Sequence, residues 1–224
     1  MIVSISRELG AGGRSVGEAV AAALGAPLLD ERSMIDQLAT RVGLPAEFVA
    51  ERIERPPSTG QRFIADLAAA TAMVPYTTTW QQPDESIIEG VRELVLEHAA
   101  AGDVVVIGFG GPALLDWEEL GIPLLAILLR AGRGWRIEQL ARRYAIDRIE
   151  AQRRIARTDE ARSRYQRHYF RSDLYDSRQY DLVLCTESLG LELAATLATR
   201  VARAAAQQVR ERSAEVRDGH ESRT

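Results

Sequence analysis

Apolar positions along this 224-residue chain fall into two alternating periods. Residues 2–6 are a short β-branched run that predicts a strand, and over 15–24 Val16, Ala19, Val20, Ala23 and Leu24 recur at helical spacing. Gly25 ends that helix, and an apolar segment over 27–30 predicts a brief second strand. Short helices are predicted over 33–42, with Ser33 as the cap, and over 45–54. A Pro- and Gly-containing turn at 55–60 leads to a predicted helix over 61–72. An irregular, exposed stretch over 75–83 follows, suited to a mobile lobe. Over 84–101, Ile87, Ile88, Val91, Leu94, Val95 and Ala99 mark an amphipathic helix. Residues 103–107 and 124–129 are continuous apolar strands, the first ending in Gly-Phe-Gly-Gly at 108–111. Arg-rich helices are predicted over 134–144 and 147–171, a last strand over 180–185 and a closing helix over 189–208. Residues 209–224 read as a disordered polar tail. Apolar strands alternating with helices predict an α/β fold whose parallel sheet is covered on both faces.

Composition narrows the function classes. The net charge of −4 argues against nucleic-acid binding driven by overall charge. The single cysteine, Cys185, excludes an intrachain disulfide and a cysteine-based zinc cluster, and it reads as a buried, inert thiol. The apolar stretch over 122–129 is broken by Pro123 and falls far short of the ~20 residues a membrane helix needs. The chain enters a strand at once, with no basic and apolar leader, and reads as a cytoplasmic protein without membrane attachment. Val74, Tyr76 and Trp80 belong to the lobe or to an interface, and oligomeric state is left open.

The candidate chemistry lies in residues 6–15, Ser-Arg-Glu-Leu-Gly-Ala-Gly-Gly-Arg-Ser, between the first strand and the first helix. On the pattern Gly-x-x-x-x-Gly-Lys-Ser/Thr, Gly13, Arg14 and Ser15 take the last three fixed positions, and Glu8 falls where the first Gly belongs. All 28 basic side chains of the chain are Arg, so no lysine can serve from elsewhere. Gly10, Ala11, Gly12 and Gly13 can turn successive amides toward an anion, and the following helix presents its positive end to it. Ser15 stands where a hydroxyl would hold Mg²⁺, and Arg14 would supply a planar fork in place of an ammonium. Two other readings stay open. One is a dinucleotide-binding turn, with Asp30 lying 20 residues after Gly10; the other is a tight turn with no ligand.

The opening, Ile-Val-Ser-Ile-Ser-Arg-Glu-Leu-Gly-Ala-Gly-Gly-Arg-Ser, and the later Leu-Gly-Ala-Pro-Leu-Leu-Asp-Glu resemble the cytidylate kinase-like proteins. Those proteins also carry Gly-Gly-Arg in the loop. The segments at 104–108, 136–140, 159–165 and 180–186 agree in order. The resemblance covers about residues 1–202 and implies a P-loop NTPase fold over 1–208. In that fold a parallel five-stranded sheet is flanked by helices, with an acceptor-binding lobe at about 45–85 and an Arg-rich lid at about 133–172. It further implies ATP and Mg²⁺, and transfer of the γ-phosphoryl group to CMP or a related small acceptor. Carried over by position, Arg14, Arg136 and Arg157 are the catalytic candidates, with Arg153 and Arg154 as further lid arginines. Asp30, Asp159 and Arg162 would bind the acceptor. A simpler reading makes Asp159 and Arg162 an exposed ion pair three residues apart on a helix.

The chain also departs from the family pattern. Phe109 stands where these kinases tend to carry an arginine for the acceptor phosphate. Glu31 and Asp36 stand where a Ser and an Arg would serve the monophosphate. The departures set a second function beside the kinase: a catalytically inactive nucleotide-binding sensor or interaction module with a degenerate loop.

Overall fold

The structure, a computed structural model, describes residues 1–54, 83–114 and 120–221. The helix expected over 61–72, most of the stretch over 75–83, and Val74, Tyr76 and Trp80 lie outside the described residues. In chain order the elements are β1 (Ile2–Arg7), α1 (Gly13–Leu24), β2 (Leu28–Leu29), α2 (Glu31–Val42), α3 (Ala46–Glu54), α4 (Pro83–Ala101), β3 (Val104–Ile107), β4 (Leu124–Arg130), α5 (Arg133–Tyr144), α6 (Arg148–Phe170), β5 (Leu182–Cys185), α7 (Thr186–Leu189) and α8 (Leu191–Glu221). The five strands form one parallel sheet in the order β2-β3-β1-β4-β5. The chain thus has the α/β fold of P-loop NTPases.

Strand pleating explains why the core strands are apolar on both faces, with Ser4 and Ser6 of β1 as buried exceptions. Alternate side chains leave opposite faces, and both faces are covered. Val3, Ile5, Val105, Ile107 and Ile127 pack against Val16, Val20, Ala194 and Ala198 of α1 and α8. Ile2, Val104 and Val106 pack against Met34, Leu38, Val91 and Val95 of α2 and α4. Each fully buried aliphatic side chain contributes roughly 1.5–3 kcal/mol relative to its exposed state. The central position of β1 follows: Val3 pairs with Val105 on one side and Leu125 on the other, and the strand ends at Arg7 opposite Leu129. The loop after β1 therefore leaves the carboxyl edge of the sheet, where open α/β folds bind their ligands.

Several boundaries differ from the pattern reading. α2 starts at Glu31 with Asp30 as its cap. The Asp30 side chain accepts from the Ser33 amide while the Ser33 hydroxyl meets the Asp30 amide, so Ser33 is the reciprocal member of a capping box. α8 runs to Glu221, so the segment from residue 209, expected to be disordered, continues the helix. Its Arg210 reaches Asp103 at 2.7 Å, an anchor 107 residues away in sequence. Cys185 is half-buried at the end of β5, 3.5 Å from the Ser188 hydroxyl, instead of being sealed within the strand. The Arg-rich segment forms a helix pair, α5 and α6, with its own small core of Ile137, Leu140, Ala151 and Ile155. Leu9 of the loop packs against that core.

Candidate active site

The loop is held in shape by residues outside it. Gly10 and Gly12 have φ of 88° and 82°, left-handed values that a side chain disfavours, and a Cβ on Gly10 would come within 2.9 Å of the Arg136 carbonyl. Glu8, at the position where the motif has its first glycine, is an anchor. Its amide donates to the Leu129 carbonyl at 3.1 Å and its Oε2 accepts from the Ala131 amide at 2.8 Å, tying the loop to the end of β4. Asp159 Oδ1 accepts from the Leu9 amide at 3.0 Å, and Oδ2 accepts from Arg136 Nη1 at 2.6 Å. Arg136 completes the brace by donating to the Ala131 and Leu9 carbonyls at 3.0 and 3.2 Å, with Glu8 Oε1 3.6 Å away.

What the loop offers is backbone. α1 begins at Gly13 with Gly12 as cap and no side-chain capping bond, so the amides of its first turn have no partner from a preceding turn or a cap. Gly10, Gly12, Gly13, Arg14 and Ser15 line a cavity of about 270 Å³ together with Asp30. A second cavity, about 440 Å³, opens on the α6 side past Phe109, Arg157, Arg164 and Tyr165. Arg7, Leu9, Glu31, Ile107 and Arg162 line both cavities, so the two meet at a seam that carries two guanidiniums and one carboxylate.

Arg7, a residue the motif reading does not single out, is a largely buried cation of the seam. Its side chain passes beneath the loop: a Cβ on Gly13 would come within 2.7 Å of its Cγ, and one on Gly108 would collide with Nη1. Glycine at 13 and 108 leaves the corridor this side chain occupies. Burial and, second, the like charge of Arg162 push the Arg7 guanidinium down to about 9, while Glu31, 3.5 Å away, acts the other way. Burial likewise lowers the Arg162 guanidinium, which donates to the Arg7 carbonyl at 3.4 Å. The available signal was positional, since Arg7 is the last residue of the central strand, at the ligand-binding edge.

The remaining candidates divide by location. Arg14 is half-exposed, hydrogen-bonded to Glu18 at 2.9 Å and 3.4 Å from Asp30; the Glu18 bond, then Asp30, raise its pKa. Ala11 is fully buried in the turn. Arg157 is exposed on the rim of the second cavity, Arg154 pairs with Glu150 at 2.8 Å, and Arg153 is exposed on α6. Asp159 faces Arg136 and the Leu9 amide, so the ion pair read from the sequence forms with Arg136 instead of Arg162. Phe109 is buried at φ 54° in the lower core and borders the second cavity, offering a ring edge where an arginine was expected. The Tyr165 hydroxyl, buried beside the same cavity, has no hydrogen-bond partner among the described residues, and burial followed by Tyr169 raises its pKa, keeping it protonated.

For Mg²⁺ the donor set is oxygen: the exposed Ser15 hydroxyl and the carboxylates of Asp30 and Glu31 in the loop cavity. Among the described residues no cluster of three or more His, Cys, Asp or Glu could hold a metal alone. These residues fit an ion that takes few protein ligands and leaves its other positions to phosphate and water. Among the described residues no helix is long and apolar enough to cross a membrane.

Comparison with solved structures agrees with the fold. An uncharacterized protein from Eubacterium ventriosum superposes with a TM-score of 0.64 at 18% identity, covering 91% of this chain and 98% of that chain. TT1252 from Thermus thermophilus gives 0.50 at 17% identity, covering 91% and 96%. A search of curated proteins finds no match. The profile of the cytidylate kinase-like family matches residues 2–188, and with the loop, sheet order and helix pair described above this chain belongs to that kinase-type family.

Proposed function

We propose that the protein transfers the γ-phosphoryl group of ATP to CMP or a related small anionic acceptor. The observation that carries this reading is the meeting of two cavities at one seam that holds Arg7, Arg162 and Glu31: the loop cavity on one side, the second cavity on the other. The amides of Gly12, Gly13 and the first turn of α1 would take the polyphosphate, with Arg14 at the outer rim, while the Ala11 amide, expected among the donors, is bonded to the Glu8 carbonyl at 3.1 Å and shapes the turn. Mg²⁺ would be held by Ser15 and the nucleotide, where it neutralises charge on the phosphate oxygens. The acceptor would occupy the second cavity, beside the Phe109 ring, with the Tyr165 hydroxyl as a donor and Arg162 and Arg157 for its negative charge. The acceptor oxygen forms the new P–O bond as the bond from the γ-phosphorus to the bridging oxygen breaks, and ADP leaves with that electron pair. A phosphate acceptor brings no proton that must be removed, so positioning and charge neutralisation suffice. Asp159 and Arg136 would act on the site through the loop they brace.

A second reading has its own support. Arg14 is committed to Glu18 and Asp30, and Phe109 replaces the expected acceptor arginine, as in a nucleotide-binding module that does not turn over. A coupled assay of ADP release over a panel of nucleoside monophosphates and small phosphorylated alcohols separates the two. Turnover above ~0.1 s⁻¹ on any acceptor supports the kinase, since kinases run at ~1–100 s⁻¹. ATP binding without acceptor-dependent ADP release supports the module.

A further inference from the structure

We propose that Arg7, assisted by Arg162, is the clamp on the phosphoryl group being transferred, and that it fills the role lysine has in the Gly-x-x-x-x-Gly-Lys loop. The inference rests on the reading of the loop as a nucleotide site and assigns the charge at its centre. Four observations converge. Arg7 ends the central strand at the carboxyl edge of the sheet, and both cavities include it. Its path is built: the absent side chains of Gly13 and Gly108 make room for its stem and its guanidinium. Arg14, the positional match to lysine, is 54% exposed and has two carboxylate partners.

The fourth observation is the close approach of two like charges, with Arg162 reaching the Arg7 carbonyl at 3.4 Å. Around the seam, Glu31 pairs with Arg7 at 3.5 Å, whereas Asp159 is engaged by Arg136 at 2.6 Å. The two guanidiniums repel each other in largely dry surroundings, while Glu31 and Asp30 act on Arg7, and Glu31 and Asp159 on Arg162, in the opposite sense. Holding two like charges side by side under the loop is costly, and a bound anion would relieve that cost. Two planar forks on adjacent elements match the spread oxygens of a phosphoryl group better than a single carboxylate. At the seam they would lie between donor and acceptor, where charge is distributed over the equatorial oxygens during transfer.

The test uses the full chain and isothermal titration with Mg·ATP, Mg·ADP and Mg·pyrophosphate on wild type, Arg7→Gln, Arg7→Lys, Arg162→Gln and Arg14→Gln. Loss of a charge-assisted contact should weaken Mg·ATP at least ~10-fold in Arg7→Gln and Arg162→Gln, with less than ~3-fold on Mg·ADP. Arg7→Lys should recover part of the loss, and Arg14→Gln should lose less than Arg7→Gln. Equal losses on ATP and ADP, a larger loss in Arg14→Gln, or a wild-type kcat in Arg7→Gln would overturn the clamp while leaving the kinase reading intact. Wild type that binds pyrophosphate in an Arg7-dependent way but binds neither nucleotide would keep the clamp and defeat the nucleotide reading. Wild type that binds none of the three defeats both. Should Arg7→Gln lose its cooperative melt, Arg162→Gln decides by the same ATP-against-ADP criterion.

Discussion

Asp159 offers the sharpest contrast between what its sequence position implies and what its contacts imply. Replacing it with Ala removes the 2.6 Å partner of Arg136 and the acceptor for the Leu9 amide together. Arg136 is 8% exposed and Asp159 17%, and breaking a buried pair from one side costs ~3–5 kcal/mol. Glu8 at 3.6 Å and the carbonyls of Ala131 and Leu9 still face the guanidinium, which places the expected loss at the low end. We expect about 3 kcal/mol for Asp159→Ala, including ~1 kcal/mol for the orphaned amide, and about 2 kcal/mol for Asp159→Asn. For a chain of this size that corresponds to a melting temperature lower by roughly 6–12 °C in the alanine variant. Urea titration should show a lower midpoint with an unchanged slope. Glu160→Ala is the reference: its pair with Arg164 at 2.8 Å is exposed on both sides and is worth at most ~0.5 kcal/mol. The reasoning is refuted if Asp159→Ala falls within ~0.5 kcal/mol of Glu160→Ala. Undiminished stability with a many-fold rise in acceptor KM would return Asp159 to the acceptor-binding role its motif position implies.

Three further outcomes are expected. Ser15→Ala should shift the Mg²⁺ dependence of turnover to higher concentration by about tenfold while the melting temperature moves little, because the side chain is exposed; an unmoved Mg²⁺ curve removes Ser15 from the metal site. Gly10→Ala should weaken Mg·ATP binding at least ~10-fold, since the backbone is left-handed and the new Cβ meets the Arg136 carbonyl at 2.9 Å; unaltered affinity would mean that this bend does not shape the phosphate site. Burial acts to raise the Asp103 carboxyl, but hydrogen bonds from the Met1 amino group and Arg210 outweigh it and leave the pKa below the usual 3.8. That contribution is present above about pH 4 and fades as pH falls through the lowered value. The stability gap between wild type and Asp103→Asn should therefore close in acid, and a gap constant from pH 7 to pH 2 would contradict it.

What could be read ahead of the coordinates was local. Apart from Ser4, Ser6 and Asp103, the runs at 2–6, 103–107 and 124–129 are apolar on both alternating sets of positions, a pattern that suits strands covered on both faces, and the structure places them side by side. Gly10 and Gly12 were recognisable because a turn of that shape needs left-handed backbone, a property of single residues. The pairings were not. Asp159 lies three residues from Arg162 but 23 from Arg136, and helical spacing favours the near partner; the brace forms because the α5–α6 pair brings the first turn of α5 beside the loop. Glu8 looked like a defect in a glycine motif, and its purpose depends on the Ala131 amide 123 residues away. In a chain whose cations are all arginine, residue type could not separate a phosphate ligand from a solvated face. Exposure separates them: Arg14 is half in water between two carboxylates, Arg136 is sealed between Asp159 and Glu8, and Arg7 is largely buried beside the like charge of Arg162. Burial is set by packing between elements far apart in sequence, so the central cation of the site became visible only when the sheet, the loop and α6 were assembled around it.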